Sequence, residues 1–296
     1  MLWLTNRKRQ IGGYFDIRAA TTMSNLPCEL LDHIVDLLHD SKTPLKNSCL
    51  VSKSWVARTR RHLFAEVHFR TAQSLESWKK TFPDPSTSPA RYAKALFIHL
   101  PQVVTTAAVG EGAGCWVGGF PHVVCLAMVG GSKWPLDDRW GESFALFHGI
   151  SPVIKSLRVD FVLCRCPQLF DLILSFPLLE DLSVTSCHLT PFGFRRGSDG
   201  PSTPSQPSSL PMFSGSLELD ISGGMKPFVR RLLSLSGGMH FRKFIFVWYY
   251  EENIPLMMAL VERCSHTLKS LDIARNTSHG KSVASAFVRK QLTLFF

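Results

Sequence analysis

Apolar positions follow two different patterns along this chain. Leu30, Leu31, Ile34, Leu37 and Leu38 stand at i, i+1, i+4, i+7 and i+8, the spacing of one apolar helical stripe. Pro27 suits the first turn of that helix, where its missing N–H costs nothing, and Glu29 lies near the positive end of the helix dipole. The polar face carries Asp32, His33, Asp36 and His39, and Asp40 to Pro44 should break the helix. A second apolar run follows at Leu45, Cys49, Leu50 and Val51. A third helix is predicted from Trp55, Thr59 and Leu63 at i, i+4 and i+8, with Arg58, Arg60 and Arg61 mostly outward. About forty residues of this kind bury too little surface to be stable alone. Their apolar face must dock on the rest of the chain or on a partner.

Beyond residue 90 the pattern becomes apolar-x-x-Leu-x-apolar, read as a short strand entering a core. It begins with Ala93-x-x-Leu96-x-Ile98 and continues with Val123-x-x-Leu126-x-Met128, Ile154-x-x-Leu157-x-Val159 and Leu179-x-x-Leu182-x-Val184. Leu217-x-Leu219, Phe241-x-x-Phe244-x-Phe246 and Leu268-x-x-Leu271-x-Ile273 complete the set. Successive central residues are separated by 30, 31, 25, 35, 27 and 27 positions. Helical spacing returns between strands at Cys166–Phe176, Met225–Leu235 and Ile254–Cys264.

Two interruptions stand out. Val109–Phe120 is glycine-rich but lacks the phosphate-binding spacings, so it reads as a flexible loop. Pro191–Pro211 is rich in Pro, Ser and Gly and reads as a disordered excursion that accounts for the longest step.

The first region resembles an F-box. Leu26, Pro27, Glu29, Leu30 and Ile34, then Leu45, Val51, Lys53 and Trp55, follow the family's order and spacing, with Ser52 where many members carry Cys. The wording is also similar to that of large fungal sets of F-box-like proteins, over about one seventh of the chain. The resemblance implies that Leu26, Pro27, Leu30 and Ile34 dock in a groove of the Skp-type adaptor of a cullin ubiquitin ligase, helix in groove. The repeats resemble degenerate leucine-rich repeats. Their consensus Asn is missing, although Cys187 and Leu189 echo its Cys-x-Leu variant.

The fold class expected is therefore α/β: a three-helix F-box followed by an irregular leucine-rich-repeat-like solenoid with a parallel sheet. Residues 1–22 read as a disordered or spurious extension, with Met23 as the functional start. The F-box covers 23–69, a linker 70–90, and the repeat domain 91–296 with its disordered loop at 191–211. The last segment, from Ser282, either closes the repeats with a helix or strand or marks a truncated chain.

Composition adds constraints. The chain is 45% hydrophobic and 19% charged, and no apolar run is long enough to span a bilayer. The start, MLWLTNRKRQ, has its charge after its apolar residues, the reverse of a secretory signal. The eight Cys are scattered, and several sit inside apolar periodic segments, the usual place for a small buried thiol; Cys164, Cys166, Cys187 and His188 match no common zinc spacing. The net charge of +10 comes with basic clusters at Arg58/Arg60/Arg61, Arg230/Arg231 and Arg242/Lys243, without the aromatic interleaving of a nucleic-acid module. They read as solvated faces or as an attraction for an acidic partner. No spaced catalytic motif appears.

The function expected is a non-enzymatic substrate receptor of a Skp/cullin/F-box ligase, without cofactor or metal, in the cytoplasm or nucleus. The repeats would bind an unidentified target, with Trp248, Tyr249 and Tyr250 as candidate aromatic anchors at a strand end. The alternative is an F-box interaction scaffold outside a ligase; nucleic-acid binding and membrane attachment are disfavoured.

Overall fold

The computed structural model describes residues 27–84, 86–99, 116–130, 147, 150–190, 211–235, 239–248, 251–275 and 288–293. The expectations for residues 1–22 and for nearly all of 191–211 lie outside them. Within them the chain is α/β, with seven helices and a ten-stranded sheet.

Three helices come first: α1 (Cys28–Leu37), α2 (Lys42–Val51) and α3 (Lys53–Leu63). The expected break at 40–44 is shifted. Pro44 lies inside the first turn of α2, where a helix has no N–H partner to lose, so the interruption is confined to residues 38–41. Ser52 caps α3, its hydroxyl accepting from the Ser54 N–H at 3.3 Å. Arg60, Arg61 and His62 fill the last turn, where positive charge suits the helix dipole.

The sheet begins immediately afterwards, inside the 23–69 segment. Strand β1 (Glu66–Phe69) is followed by β2 (Ala95–His99), β3 (Cys125–Val129), β4 (Ser156–Asp160), β5 (Leu163–Arg165) and β6 (Asp181–Thr190). Then come β7 (Ser216–Gly223), β8 (Lys243–Trp248), β9 (Ser270–Arg275) and β10 (Val288–Thr293). Their spatial order is β1-β2-β3-β4-β6-β7-β8-β9-β10, with β5 paired to the far half of β6. All pairs are parallel except β9–β10, so the last segment supplies an antiparallel strand along the β9 edge.

Register explains why the spacing was readable. Val67, Leu96, Leu126, Leu157, Leu182, Leu217, Phe244 and Leu271 pair strand by strand in one continuous row. Two residues further on, Phe69, Ile98, Met128, Val159, Val184, Leu219, Phe246 and Ile273 form a second row on the same face. Strand side chains alternate between faces, so both rows enter one core. Apart from the half-buried Ile273, every one of these residues is buried.

Helices cover that face. α4 (Ala72–Thr81) falls in 70–90, a stretch expected to be a linker. Its start is fixed by a capping box, with the Thr71 and Ser74 side chains each bonded to the other's backbone. Its Leu75 and Trp78 pack into the core. α5 (Cys166–Leu174), α6 (Met225–Leu233) and α7 (Ile254–Arg263) lie in the three predicted helical segments. Their Leu169, Phe170, Leu172, Ile173, Phe228, Val229, Leu232 and Leu260 are fully buried. The end of the glycine-rich stretch is core rather than loop. Trp116 and Phe120 stack edge-on against Phe69, at 5.6 and 6.1 Å between ring centres.

Candidate functional site

The three N-terminal helices have their own small interior. Val35, Leu45, Ser48 and Thr59 are buried there, outside the main core cluster of the sheet. Ser48 satisfies its hydroxyl by donating to the Pro44 carbonyl at 2.9 Å. Polar contacts set the rotation of α1. Arg58 Nε donates to Asp36 Oδ1 at 2.7 Å, and Arg58 Nη2 reaches the other carboxylate oxygen, a bidentate pair. His62 Nε2 lies 2.7 Å from Asp36 Oδ1, and Asp32 approaches Arg58 at 3.9 Å. The hydrogen bond from Arg58, then that of His62, holds the Asp36 carboxyl well below the usual carboxylate range; Asp36 in turn pushes the Arg58 guanidinium up. Arg58 is thus turned toward α1, not outward with Arg60 and Arg61 as its sequence position implied.

That rotation decides what the helices expose. Leu31 and Leu38 are half-buried, and Val35, which the predicted stripe omitted, is the buried residue of α1. Leu30 and Ile34 are 51% and 41% exposed, and Leu37 still more so. They stand at i, i+4 and i+7, one outward apolar stripe. Pro27 precedes it at the N-cap, exposed, its carbonyl accepting the Leu30 and Leu31 N–H groups at 3.0 and 3.2 Å. Leu26 lies outside the described residues. α2 adds Leu50, 86% exposed, and the exposed Val51. The sequence flagged this pair only as an apolar run; its signal was two adjacent large apolar residues where one helical face cannot bury both.

The second candidate surface is the open face of the sheet. Between the core rows, alternate residues point away from the helices. They include Arg158 and Asp160 on β4, Asp181, Ser183 and Thr185 on β6, and Glu218 and Asp220 on β7. Lys243 follows on β8, and Asp272 on β9 lies on the same side but is buried. Neighbouring strands are tied across this face by side chains. Ser183 Oγ donates to Glu218 Oε2 at 2.8 Å, and the Ser216 N–H and hydroxyl both donate to Asp181 Oδ1, at 2.6 and 2.7 Å. Asp160 takes Arg158 Nε at 2.6 Å and the Thr185 hydroxyl. At the rim two non-glycine residues adopt left-handed backbone: Phe161 (φ 53°), a residue 58% exposed, and Ser186 (φ 51°) at a bulge in β6.

The predicted aromatic anchors are only partly placed. Trp248 ends β8, its backbone paired with Arg275, while Tyr249 and Tyr250 lie outside the described residues. Phe161, an exposed aromatic the sequence reading passed over, sits at the end of β4 instead. Nothing in its spacing marks it, because it is the first residue after a regular strand.

Cys164, Cys166, Cys187 and Cys264 are buried, whereas Cys28 is exposed and Cys49 and Cys125 are half-buried. Cys187 Sγ donates to the Val159 and Thr185 carbonyls, each at 3.3 Å, and burial pushes its thiol up to about 12. Burial also pushes Cys164 far up and Cys166 up. Thiols so raised are protonated and poor metal ligands or nucleophiles at neutral pH. Among the described residues, no group of three or more His, Cys, Asp or Glu converges as a metal site, and no helix is long and apolar enough to cross a membrane.

No family model matches this chain, and neither the curated proteins nor the solved structures contain a match to it.

Proposed function

We propose that this chain is the target-receptor subunit of a Skp/cullin/F-box ubiquitin ligase, with α1–α3 as the F-box and the strands and helices after them as an irregular leucine-rich-repeat-like solenoid. The observation that carries the reading is the outward stripe of Leu30, Ile34 and Leu37. Two of these three belong to the adaptor set that the F-box resemblance names, and they stay accessible although the chain has a large apolar core into which to fold them. Exposed apolar side chains in register on one helix are what a helix-in-groove contact requires. Fully burying an exposed side chain of this size contributes roughly 1.5–3 kcal/mol, and these partly covered ones contribute in proportion to what is still exposed, so the contact draws on several anchors together.

The Asp36–Arg58 pair supports the same reading, since it turns the apolar stripe of α1 away from α3. Adaptor binding would place the sheet, and any target on it, near the ligase's transfer machinery. The chain then contributes proximity rather than chemistry. The cytoplasm or nucleus is the compartment this role requires.

The test is co-purification of the full chain with a Skp-type adaptor and, through it, a cullin. Recovery of both with the parent chain, and of neither with a Leu30→Asp, Ile34→Asp variant that folds, supports the assignment. A folded parent chain that brings down no adaptor contradicts it and leaves an interaction scaffold.

A further inference from the structure

We propose that the open face of the sheet across β4, β6 and β7 receives an extended, lysine- or arginine-bearing segment of a partner protein, with Glu218 and Asp181 as its main charged contacts. This deepens the target-binding half of the proposed function and rests on it.

The face is not covered by α4–α7, whose buried side chains enter the core on the opposite side. Its charge runs against that of the chain. The whole sequence is net +10, yet from β4 to β9 the accessible charges of this face are Asp181, Glu218 and Asp220 against Arg158 and Lys243, with Asp160 and Asp272 on the same side but buried. Arg158 is engaged with Asp160. The groups on Glu218 and Asp181 are serine hydroxyls and a backbone N–H. Neutral donors orient a carboxylate without cancelling its charge. Both side chains are half-buried, where an incoming cation is attracted more strongly than at a fully wetted site.

Spacing points to an extended occupant. Glu218 and Asp220 lie two residues apart on one face of β7, about 7 Å along the strand. That matches the distance between alternate side chains of an extended peptide, so basic residues at every second position meet successive carboxylates. Asp160, Thr185 and Asp220 share the row beyond Glu218. The exposed residue Phe161 follows Asp160 directly, a surface for the alkyl stem or the charge of a Lys or Arg.

The experiment uses the full chain and two labelled, end-blocked peptides, one alternating lysine and serine and one alternating glutamate and serine, with affinity read by fluorescence anisotropy. The lysine peptide is expected to bind and the glutamate peptide not, with affinity falling roughly tenfold from low to high salt. Glu218→Gln, which still accepts from Ser183, should weaken binding about threefold and Glu218→Lys about tenfold or more. Glu262→Lys, on the exposed side of α7, should change it least. Thermal melting of each variant separates lost binding from lost folding. Absent binding, equal affinity for the two peptides, or undiminished binding by a folded Glu218→Lys protein would overturn the proposal. No adaptor is present in this assay, so its failure and that of the ligase reading are distinguishable.

Discussion

Asp36 on α1 and Arg58 on α3 are joined by two parallel hydrogen bonds, and His62 adds a third contact to the same carboxylate. The pair fastens the first and third of three helices whose buried side chains, among the described residues, are Val35, Leu45, Ser48 and Thr59. It is also what fixes the outward direction of Leu30 and Ile34.

The first prediction concerns acid. The Asp36 carboxyl is held below its ordinary value in the folded chain, chiefly by Arg58. Its contribution to stability is therefore fully present above the unfolded carboxylate value of about 3.9, and is lost as pH falls through the lower folded value. Asp36→Asn should lower the melting temperature of α1–α3 at neutral pH. The gap to the parent should close as pH drops below about 4. Melts followed by circular dichroism across that range check it; a gap that widens in acid would contradict the pairing.

The second contrasts two apolar residues. Leu157 is fully buried in the first core row between Leu126 and Leu182, so Leu157→Ala should cost about 2–5 kcal/mol of unfolding free energy. Ile34 is 41% exposed, and Ile34→Ala should change stability by only about 0.5–1 kcal/mol. Urea unfolding of both variants provides the comparison. A large loss at Ile34 would mean that its face belongs to the chain's own core.

The sheet was legible because its register is carried by identical spacing in each strand. Leu96, Leu126, Leu157, Leu182, Leu217, Phe244 and Leu271 were each identified as strand residues, and they pair with one another. Val67 and Phe69 extend the rows but were hidden. A four-residue strand directly after a helix gives too few alternations to stand out. Helix α4 (AQSLESWKKT) was missed because its first six residues hold one large apolar side chain, although Thr71 and Ser74 carried a capping signal. At the site, periodicity located the stripe of α1 but not its orientation. Orientation depends on Asp36 meeting a residue 22 positions away, which local spacing does not encode.

Glycine 224 yields a third prediction. It caps α6 with φ +72°, and a Cβ there would lie 2.0 Å from the Leu189 carbonyl oxygen. Gly224→Ala must both strain the backbone and displace the end of β6, costing about 2 kcal/mol or more. Gly118 has open space around its Cβ position, and Gly118→Ala should be close to neutral. Denaturant midpoints for the two variants test the difference.

A fourth prediction uses the thiols. Cys28 is exposed, whereas Cys164 and Cys187 are buried and raised well above the ordinary thiol range. Iodoacetamide at mildly alkaline pH should label Cys28 in the folded chain and reach Cys164 and Cys187 only after unfolding. Peptide mapping of the labelled protein reads this directly. Early labelling of Cys187 would show that the end of β6 opens independently of the sheet.

The central claim is that the outward stripe of α1 is a docking surface for a Skp-type adaptor. Calorimetric titration of that adaptor into the full chain, its Ile34→Asp variant and its Leu50→Asp variant tests this most directly, with melting temperatures measured alongside. The account predicts saturable binding by the parent and a loss of about tenfold or more for Ile34→Asp at nearly unchanged melting temperature. A smaller loss for Leu50→Asp would mark the edge of the surface. Absent binding by the folded parent chain, or equal binding by a folded Ile34→Asp protein, would contradict it.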